Sequence, residues 1–375
     1  MKILFYCQHV LGIGHFFRSM EVARALSRHT VVFVLGGAPL SGFIPPGHVK
    51  VLSLPALMMD PEFKSLHVQE GSLEDIRQSR RRMLMDLLVS FDPDLILTEL
   101  FPFGRRQFRF ELTPLLKAAK QRSVPAKIVC SLRDILVEKK EKPNYETEVV
   151  ETLNSYYDLL LIHSDPRVVR LEETFGRCGE IGVQVEYTGF VARPPIPRRN
   201  PDGKKVIVAS SGGGRVGVDL LCAAIEAVRR VRRTDLELRV FIGPFLEKVD
   251  EKRMEYMASD DPRIRLLPFS LDFVYELSMA DLSISMAGYN TCMDILSSGV
   301  PALVYPFPQN REQGIRAARL EEFGALKVLP TFEAKSLVLE IESFLKQDRV
   351  FPVPEIDITG AANSARLIEK LCTCS

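Results

Sequence analysis

A histidine in a glycine-containing segment is the first residue of this sequence suited to chemistry. The segment Gly12-Ile13-Gly14-His15-Phe16-Phe17-Arg18 follows an apolar run and precedes an amphipathic one. Glycine lets a backbone approach an anion closely, and the start of a helix supplies free N–H groups. His15 would lie at the carboxyl edge of a sheet, where an imidazole can take a proton from an attacking hydroxyl. The alternative is a histidine that caps an ordinary strand–helix turn.

A second glycine-rich segment, Ser210-Ser211-Gly212-Gly213-Gly214-Arg215, is suited to binding a diphosphate. Its glycines expose backbone N–H groups, and the arginine adds positive charge. The apolar run directly before it and the amphipathic run directly after it favour a phosphate loop over the alternative, a flexible connection between elements.

The most informative segment is Ser285-Met286-Ala287-Gly288-Tyr289-Asn290-Thr291, where a predicted strand is followed by a helix. Asn290 and Thr291 are good N-cap residues and good donors to phosphate. Asp294 lies about one turn into the helix, so its carboxylate can accept two ribose hydroxyl bonds at the same site. The next strand leads to the polar loop Phe307-Pro308-Gln309-Asn310-Arg311-Glu312-Gln313.

Alternating apolar and amphipathic stretches surround these segments and predict repeated strand–helix units, hence parallel sheets of an α/β protein. The predicted strands are Lys2–Cys7, Thr30–Leu35, Val49–Leu52, Asp94–Thr98, Lys127–Ser131, Leu159–His163, Val185–Tyr187, Val206–Ser210, Glu237–Ile242, Ile264–Leu267, Leu282–Ser285, Ala302–Tyr305 and Ala325–Val328. The predicted helices include Ser19–Arg28 and Thr113–Gln121, which are the clearest by periodicity, and Val218–Arg230, Asn290–Ser298, Gln313–Phe323, Glu333–Lys346 and Gly360–Leu371.

A segment rich in proline and arginine, residues 192–203, interrupts this pattern and is typical of a linker, because dense proline fits neither a helix nor a central strand. The sequence therefore predicts an N-terminal domain over residues 1–191 and a C-terminal domain over residues 204–358. The last helix, in residues 359–375, is expected to cross back to the N-terminal domain.

The composition excludes several classes of protein. The chain has 375 residues, 49 of them basic and 48 acidic, and this near-neutral balance argues against nucleic-acid binding. Its seven cysteines lack zinc-site spacing and are expected to be reduced thiols. Neither a signal segment nor an apolar stretch of membrane-spanning length is apparent. A cytoplasmic protein is expected.

Residues 280–329 resemble the donor-binding signature of inverting GT-B glycosyltransferases, and especially of the bacterial transferase family that adds N-acetylglucosamine to the peptidoglycan lipid precursor. The shared features are Ser-x-x-Gly-x-x-Thr, an acid in the following helix, Gly-x-Pro, a Pro-Phe-Pro loop and an acid-Gln pair. The resemblance implies two Rossmann-like domains whose parallel sheets face an interdomain cleft. It also implies a nucleotide-sugar donor, with UDP as the expected nucleotide.

Matching by position gives individual residues a role in the resembling family. Asp294 corresponds to the acid that holds the ribose, and Glu312-Gln313 to the pair that reads sugar hydroxyls. Phe269 corresponds to the backbone site that reads the nucleobase, and Arg193 to the arginine that meets the donor diphosphate. His15 corresponds to the proposed base.

The sequence departs from that family at positions that bear on the identity of the donor sugar and of the acceptor. Asp294 is one methylene shorter than the family's glutamate, and Arg316 replaces an expected asparagine. Retaining GT-B enzymes carry a glutamate eight residues before the helix acid, where this chain has Met286, so inversion by a single displacement is expected. Similar enzymes need no bound divalent metal, so neither a metal nor a cofactor is expected.

Residues of the N-terminal half are expected on the acceptor side. They are Gly12, Gly14, Arg18, Glu99 and Arg133. Asp134 is a candidate to orient His15, with a helix N-cap as the alternative, and Glu99 is a spare acid. The mixed aromatic and basic segment 100–111 suits a small-molecule or lipid-linked acceptor or an anionic membrane surface, with a partly packed loop as the alternative.

The basic run 77–82 is expected to form a solvated helix face.

Other functions of the protein stay open. The Gly-x-Gly-His-x-x-Arg pattern also resembles bacterial UDP-sugar hydrolases of the same fold, in which His15 would activate water. A nucleotide-sugar 2-epimerase is disfavoured, because that family's paired glutamates are absent around residues 288–294. A non-catalytic binding partner of a membrane transferase is the remaining alternative.

Overall fold

The computed structural model describes residues 1–8, 14–37, 42–59, 66–67, 72–136, 142–197, 203–213, 216–346 and 355–373. The chain divides into two compact units. Unit 1 comprises Met1–Val191 and Thr359–Ser375, and unit 2 comprises Ala192–Ile358. The break after Val191 coincides with the start of the segment rich in proline and arginine.

Fifteen strands are present in the described residues. They are β1 (Lys2–Gln8), β2 (Thr30–Gly36), β3 (Val49–Ser53), β4 (Met58–Met59), β5 (Leu66–His67), β6 (Leu95–Glu99), β7 (Lys127–Arg133), β8 (Leu159–His163), β9 (Gln184–Tyr187), β10 (Lys205–Ser210), β11 (Leu236–Phe241), β12 (Ile264–Leu267), β13 (Leu282–Met286), β14 (Ala302–Tyr305) and β15 (Lys327–Val328). All thirteen predicted strands are confirmed to within two residues at each end, and Ala325–Val328 is shorter than predicted because only Lys327 and Val328 pair with β14.

Eleven α-helices are present in the described residues. They are α1 (Gly14–Ala25), α2 (Leu73–Phe91), α3 (Arg109–Lys120), α4 (Lys142–Tyr156), α5 (Val218–Arg230), α6 (Lys248–Ala258), α7 (Phe273–Ser278), α8 (Tyr289–Ser298), α9 (Arg311–Glu322), α10 (Ala334–Lys346) and α11 (Gly360–Thr373). Helices α4, α6 and α7 were not among those predicted by periodicity. No helix of the described chain has the length and apolar character needed to cross a membrane.

Unit 1 is built on a seven-stranded sheet in the order β3-β2-β1-β6-β7-β8-β9, with every adjacent pair parallel. Strands β6 and β8 are buried along their whole length, as expected when helices cover both faces of a parallel sheet. The sheet order reverses between β1 and β6. Ligands of open α/β sheets bind at the carboxyl ends of the strands beside such a reversal.

Helix α11 belongs to unit 1, where it packs against α1. Gly360 begins this helix in a confined place, since a Cβ there would lie 2.4 Å from the carbonyl oxygen of Gly189. Asn363 Nδ2 donates to the carbonyl oxygen of Thr188 at 2.9 Å. These contacts tie the end of the chain to the segment that follows β9.

Unit 2 is built on a six-stranded parallel sheet in the order β12-β11-β10-β13-β14-β15. Its core is formed by apolar residues of the sheet and of α5 and α10. The order of this sheet reverses between β10 and β13. The chain leaving β10 is the glycine-rich segment, and the chain leaving β13 begins α8, so both predicted phosphate-binding segments start at this reversal.

The expectation of a solvated basic face on α2 is wrong for Arg80, which is fully buried. Its guanidinium donates to both oxygens of Glu111, at 2.8 and 2.6 Å, to Gln8 Oε1 at 2.8 Å and to the carbonyl oxygen of Pro55 at 2.8 Å. A buried charge is tolerated only when it is paired and hydrogen-bonded in this way. Helical periodicity identified the helix but not which arginine faces the core.

Candidate active site

His15 pairs with Glu99 at the reversal point of the sheet in unit 1. Its Nδ1 lies 2.6 Å from Oε1 of Glu99. His15 stands in the first turn of α1, which follows β1, and Glu99 is the last residue of β6, the neighbour of β1 in the sheet. A carboxylate only accepts, so this contact, which is shorter than the 3.2 Å between Nδ1 and Arg18 Nη2, favours the proton on Nδ1 and the lone pair on Nε2.

Glu99 is also held by two arginines. Arg18 Nη2 donates to the same Oε1 at 2.6 Å, and Arg105 Nη2 lies 3.4 Å from Oε2. The carboxylate is fully buried. Leu100 and Arg105 adopt φ of 65° and 60°, a left-handed conformation that costs free energy for such residues.

These charges set the protonation states of the pair. Burial lowers the pKa of the His15 imidazole to about 4; the charge of Glu99 opposes this shift, whereas those of Arg105 and Arg18 add to it. Burial alone would raise the pKa of the Glu99 carboxyl, but His15, Arg105 and Arg18 outweigh burial and hold that pKa well below its usual range. At neutral pH the pair is therefore a neutral imidazole beside a carboxylate.

The prediction that Asp134 orients His15 needs correction, because Glu99 occupies that position. Asp134 is buried, and its carboxylate lies 3.7 Å from Nε of Arg133, on the adjacent residue. Arg133 is the last residue of β7, and Asp134 follows it. Strand β7 is separated from β1 by β6, the strand that carries Glu99. The sequence identified a carboxylate at the end of a strand, but the choice between two such strands depends on their order in the sheet.

A further histidine, His163, lies buried at the carboxyl edge of the same sheet. Its Nε2 is 2.6 Å from Ser131 Oγ, and its Nδ1 is 2.9 Å from Thr188 Oγ1. Burial, with the charge of Arg18, lowers its pKa to about 3. His163 belongs to no motif that predicts function, and its position at the end of a predicted strand was the one available signal.

The aromatic side chains of segment 100–111 are mostly unavailable to an acceptor or a membrane. Phe101, Phe103 and Phe108 are buried in the core of unit 1. Arg106 and Arg109 both bind Glu148. The packed-loop alternative is therefore the correct one for this segment. Of the predicted loop before α1, Gly14 begins the helix, whereas Gly12 lies outside the described residues.

In unit 2 the glycine-rich segment turns sharply after β10. Gly212 has φ of +69°, and its N–H donates to Ser210 Oγ at 3.1 Å. The hydroxyl of Ser211 is buried, and no atom of the described chain is its hydrogen-bond partner. Gly217, with φ of +94°, passes so close that a Cβ would lie 3.0 Å from Cβ of Ser211. The predicted Gly214 and Arg215 lie outside the described residues, and Gly213 lies at their edge.

The glycine-rich segment and the start of α8 converge on Thr291. A Cβ on Gly212 or on Gly288 would lie 3.9 or 3.8 Å from Thr291 Oγ1. Gly288 is the N-cap of α8, and Asn290 and Thr291 stand in its first turn, half-buried. The ring of Tyr289 is buried and stacks on Arg316, whose Cζ is 5.3 Å from the ring centroid. Tyr289 therefore contributes its backbone to the start of α8, and its buried ring is part of the core.

Asp294 is buried one turn farther along α8, where its Oδ1 lies 3.5 Å from Nε of Arg193. Two residues to which the sequence assigned separate roles are therefore an ion pair. Phe269 follows β12 and is half-buried.

The polar loop after β14 is closed by its own side chains. Gln313 Oε1 accepts a hydrogen bond from the N–H of Phe307 at 3.0 Å, and Asn310 caps α9 by accepting from the N–H of Gln313 at 3.4 Å. Glu312 is buried and Gln309 is exposed. Within the described residues, no three His, Cys, Asp or Glu side chains are grouped as metal ligands.

Two units, each with a parallel sheet covered by helices, define the chain as a protein of the GT-B fold. Solved structures with this arrangement include the calicheamicin glycosyltransferase CalG4, with 18% identity, a TM-score of 0.62 and 98% and 97% of the two chains covered. MurG from Acinetobacter baumannii has 17% identity, a TM-score of 0.59 and coverage of 99% and 100%. A UDP-N-acetylglucosamine 2-epimerase assigned in Listeria monocytogenes has 15% identity, a TM-score of 0.66 and coverage of 98% and 94%. The fold is thus shared by more than one reaction class.

Sequence comparison finds similarity to one family of GT-B proteins. Residues 212–366 match the glycosyltransferase family 28 C-terminal domain. Curated relatives are named UDP-N-acetylglucosamine--N-acetylmuramyl-(pentapeptide) pyrophosphoryl-undecaprenol N-acetylglucosamine transferase. That of Caldanaerobacter subterraneus is 28% identical over 148 residues, 38% of this chain and 40% of the relative. That of Methylorubrum extorquens is 26% identical over 185 residues, 48% of each chain.

The matched region spans about half or less of the length of these relatives. The chain is therefore a GT-B protein that resembles the peptidoglycan-precursor N-acetylglucosaminyltransferase family, as its donor-binding signature indicated.

Proposed function

We propose that this protein transfers a sugar from a UDP-linked donor to a hydroxyl group of an acceptor, with inversion at the anomeric carbon. The observation that carries the proposal is the match of residues 212–366 to the family 28 C-terminal domain, because it begins within the glycine-rich segment and covers the start of α8. The names of the relatives give a UDP-sugar as donor and a pyrophosphoryl-undecaprenol as acceptor. A lipid-linked acceptor met at a membrane face is part of the proposal, and a small-molecule acceptor is the alternative.

In the proposed donor site, the diphosphate binds at the N-terminus of α8 and against the segment 211–213. Support comes from the free N–H groups and positive dipole end of a helix start, which favour anions. The buried Ser211 hydroxyl, which has no partner among the described residues, would be satisfied by a phosphate oxygen. Asp294 is the proposed acceptor of ribose hydroxyl bonds, and Phe269 lies at the proposed nucleobase position.

In the proposed reaction, Nε2 of His15 takes the proton of the acceptor hydroxyl as its oxygen bonds to the anomeric carbon. The bond from that carbon to the nucleotide diphosphate breaks, and its electron pair leaves on the phosphate oxygen. Glu99 fixes the tautomer of His15 and stabilises the imidazolium that forms, as a buried carboxylate does beside a histidine base. One displacement inverts the anomeric configuration.

The first test is calorimetric titration with UDP, dTDP, GDP and ADP without added metal. The proposal expects binding of UDP in preference to the other three. Binding of none of them by the folded protein would overturn the donor assignment and favour a non-catalytic partner. Proton NMR of the product formed from an α-linked UDP-sugar then tests inversion, with a β-linked product expected.

Hydrolysis is the second candidate, because the same neutral His15 beside Glu99 can deprotonate water. Incubation of the UDP-sugar without acceptor separates the two functions. Stoichiometric free sugar at the rate seen with acceptor would identify a hydrolase, whereas a transferase consumes its donor mainly when an acceptor is present.

A further inference from the structure

Arg193 contacts two separate elements of unit 2. Its Nη1 donates to the carbonyl oxygen of Leu271 at 2.8 Å, and its Nε lies 3.5 Å from Oδ1 of Asp294. Its own carbonyl oxygen accepts a hydrogen bond from Ser297 Oγ at 2.7 Å. The side chain therefore spans from the loop after β12 to helix α8, while its backbone is fixed to the same helix.

The contact with Asp294 bears on ribose recognition. Only 6% of the Asp294 side chain is exposed, so its charge needs a fixed partner. A guanidinium is planar and rigid, and this one is anchored on Leu271. It therefore restricts the motion of the carboxylate before any ligand arrives, which reduces the entropy that a ligand loses in ordering that side chain.

The contact with Leu271 bears on the nucleobase loop. Leu271 lies two residues after Phe269, the proposed nucleobase position, and the loop between β12 and α7 is short. Because one guanidinium binds both this loop and Asp294, the distance between the nucleobase position and the ribose acid depends on Arg193.

We propose that Arg193 is a positioning residue for ribose recognition. It fixes the position of Asp294 relative to the loop 268–272, so that both can contact one nucleoside. The inference rests on the proposed function, because it concerns the same donor site. It differs from the role that the family resemblance implies, in which this arginine contacts the donor diphosphate.

Titration with three nucleotides separates the two roles. UDP against 2′-deoxy-UDP reports ribose recognition, and UDP against UMP reports recognition of the second phosphate. For Arg193→Gln we expect the ribose preference to fall about tenfold, the equivalent of one hydrogen bond to a charged group, with an unchanged UDP-to-UMP ratio. If Arg193→Gln instead lost the preference for UDP over UMP and kept the ribose preference, the inference would be overturned and Arg193 would be assigned to the diphosphate.

Coupling between variants gives a second readout. Asp294→Asn should by itself remove the ribose preference, and adding Arg193→Gln should then remove nothing further, since residues acting through one contact are not additive. Fully additive losses would contradict a positioning role. Ser297→Ala, which removes the hydrogen bond to the Arg193 carbonyl, should give a smaller loss of the ribose preference in the same direction.

Two controls keep the test interpretable. Arg253→Gln removes an arginine of unit 2 that is 54% exposed and pairs with Asp219, and it should leave both ratios unchanged. Arg193→Lys keeps the charge without the planar fork and serves if the glutamine variant does not fold; a full ribose preference in it would refute the geometric argument. If the unmodified protein binds no nucleotide, the proposed function fails; if it binds and Arg193→Gln alters neither ratio, only this inference fails.

Discussion

The carboxyl edges of the two sheets are built differently, although the strand order reverses at each site. In unit 1 the reversal holds Glu99 in contact with His15, Arg18 and Arg105, so charged side chains satisfy one another. In unit 2 the reversal presents glycine backbone, a helix start and the Ser211 hydroxyl, which has no partner in the described chain. The first edge is preorganised for chemistry, and the second is suited to a ligand that supplies the missing partners.

His15→Ala is the variant with the largest expected effect, and it tests whether the carboxyl edge of the unit 1 sheet performs the chemistry. We expect turnover to fall by about 10²–10⁴, the range for loss of a general base, with UDP affinity unchanged because unit 1 is not the proposed nucleotide site. Steady-state kinetics and calorimetry measure the two quantities. His48→Asn is a suitable control, since the ring of His48 hydrogen-bonds the carbonyl oxygen of Ala23 through Nε2. Full turnover in His15→Ala would remove the base from the mechanism.

Glu99→Gln tests whether the carboxylate matters as a charge. We expect about a 10²-fold loss of turnover, because glutamine keeps the shape but stabilises the imidazolium less. The matched control is Glu148→Gln, which also removes a carboxylate bound by two arginines, Arg106 and Arg109, but at the surface. That variant should change turnover little. Equal losses in the two variants would mean that the Glu99 effect is general destabilisation.

The low pKa values of two buried histidines in unit 1 predict that the free energy of unfolding decreases in acid. The folded pKa values of His15 and His163, about 4 and about 3, lie below the ordinary value of 6.5. Below pH 6.5 the unfolded imidazoles bind protons that the folded ones do not, so stability is full above that pH and is lost as pH falls toward 4. Each group contributes up to about 1.4 kcal/mol per pH unit.

Urea denaturation between pH 7.5 and 4.5 measures this loss, and His163→Asn should flatten the profile. Turnover has a separate signature, since His15 should remain a competent base well below pH 6.5. A fall of kcat/KM to half near pH 6.5 would show that burial does not depress the pKa of this imidazole.

The smallest expected effect is that of Ser211→Ala in unit 2. Loss of one hydroxyl donor to a phosphate oxygen should weaken UDP binding by about 1 kcal/mol and leave UDP-free stability nearly unchanged, because the hydroxyl has no partner in the described chain. Calorimetry and thermal unfolding measure the two quantities. Ser298→Ala, whose hydroxyl donates to the Ile295 carbonyl oxygen, should show the opposite pattern. Unchanged affinity in Ser211→Ala would place the phosphates elsewhere.

The sequence by itself determined the strands, the two-unit α/β plan and the segments at which ligands are expected. These features are local, because a run of apolar residues predicts a strand and glycines predict a sharp turn. The glycine-rich segment and the start of α8 were both identified in this way, and both lie at the reversal of the unit 2 sheet.

Only the tertiary structure decided which side chains meet. Glu99 rather than Asp134 binds His15 because β6, not β7, is the neighbour of β1. Arg80 turned inward because Glu111, on another helix, offers a buried counter-charge. Arg193 joined Asp294 across about 100 residues of sequence. Such contacts depend on strand order and packing between distant segments, and neither periodicity nor spacing along one stretch of chain encodes them.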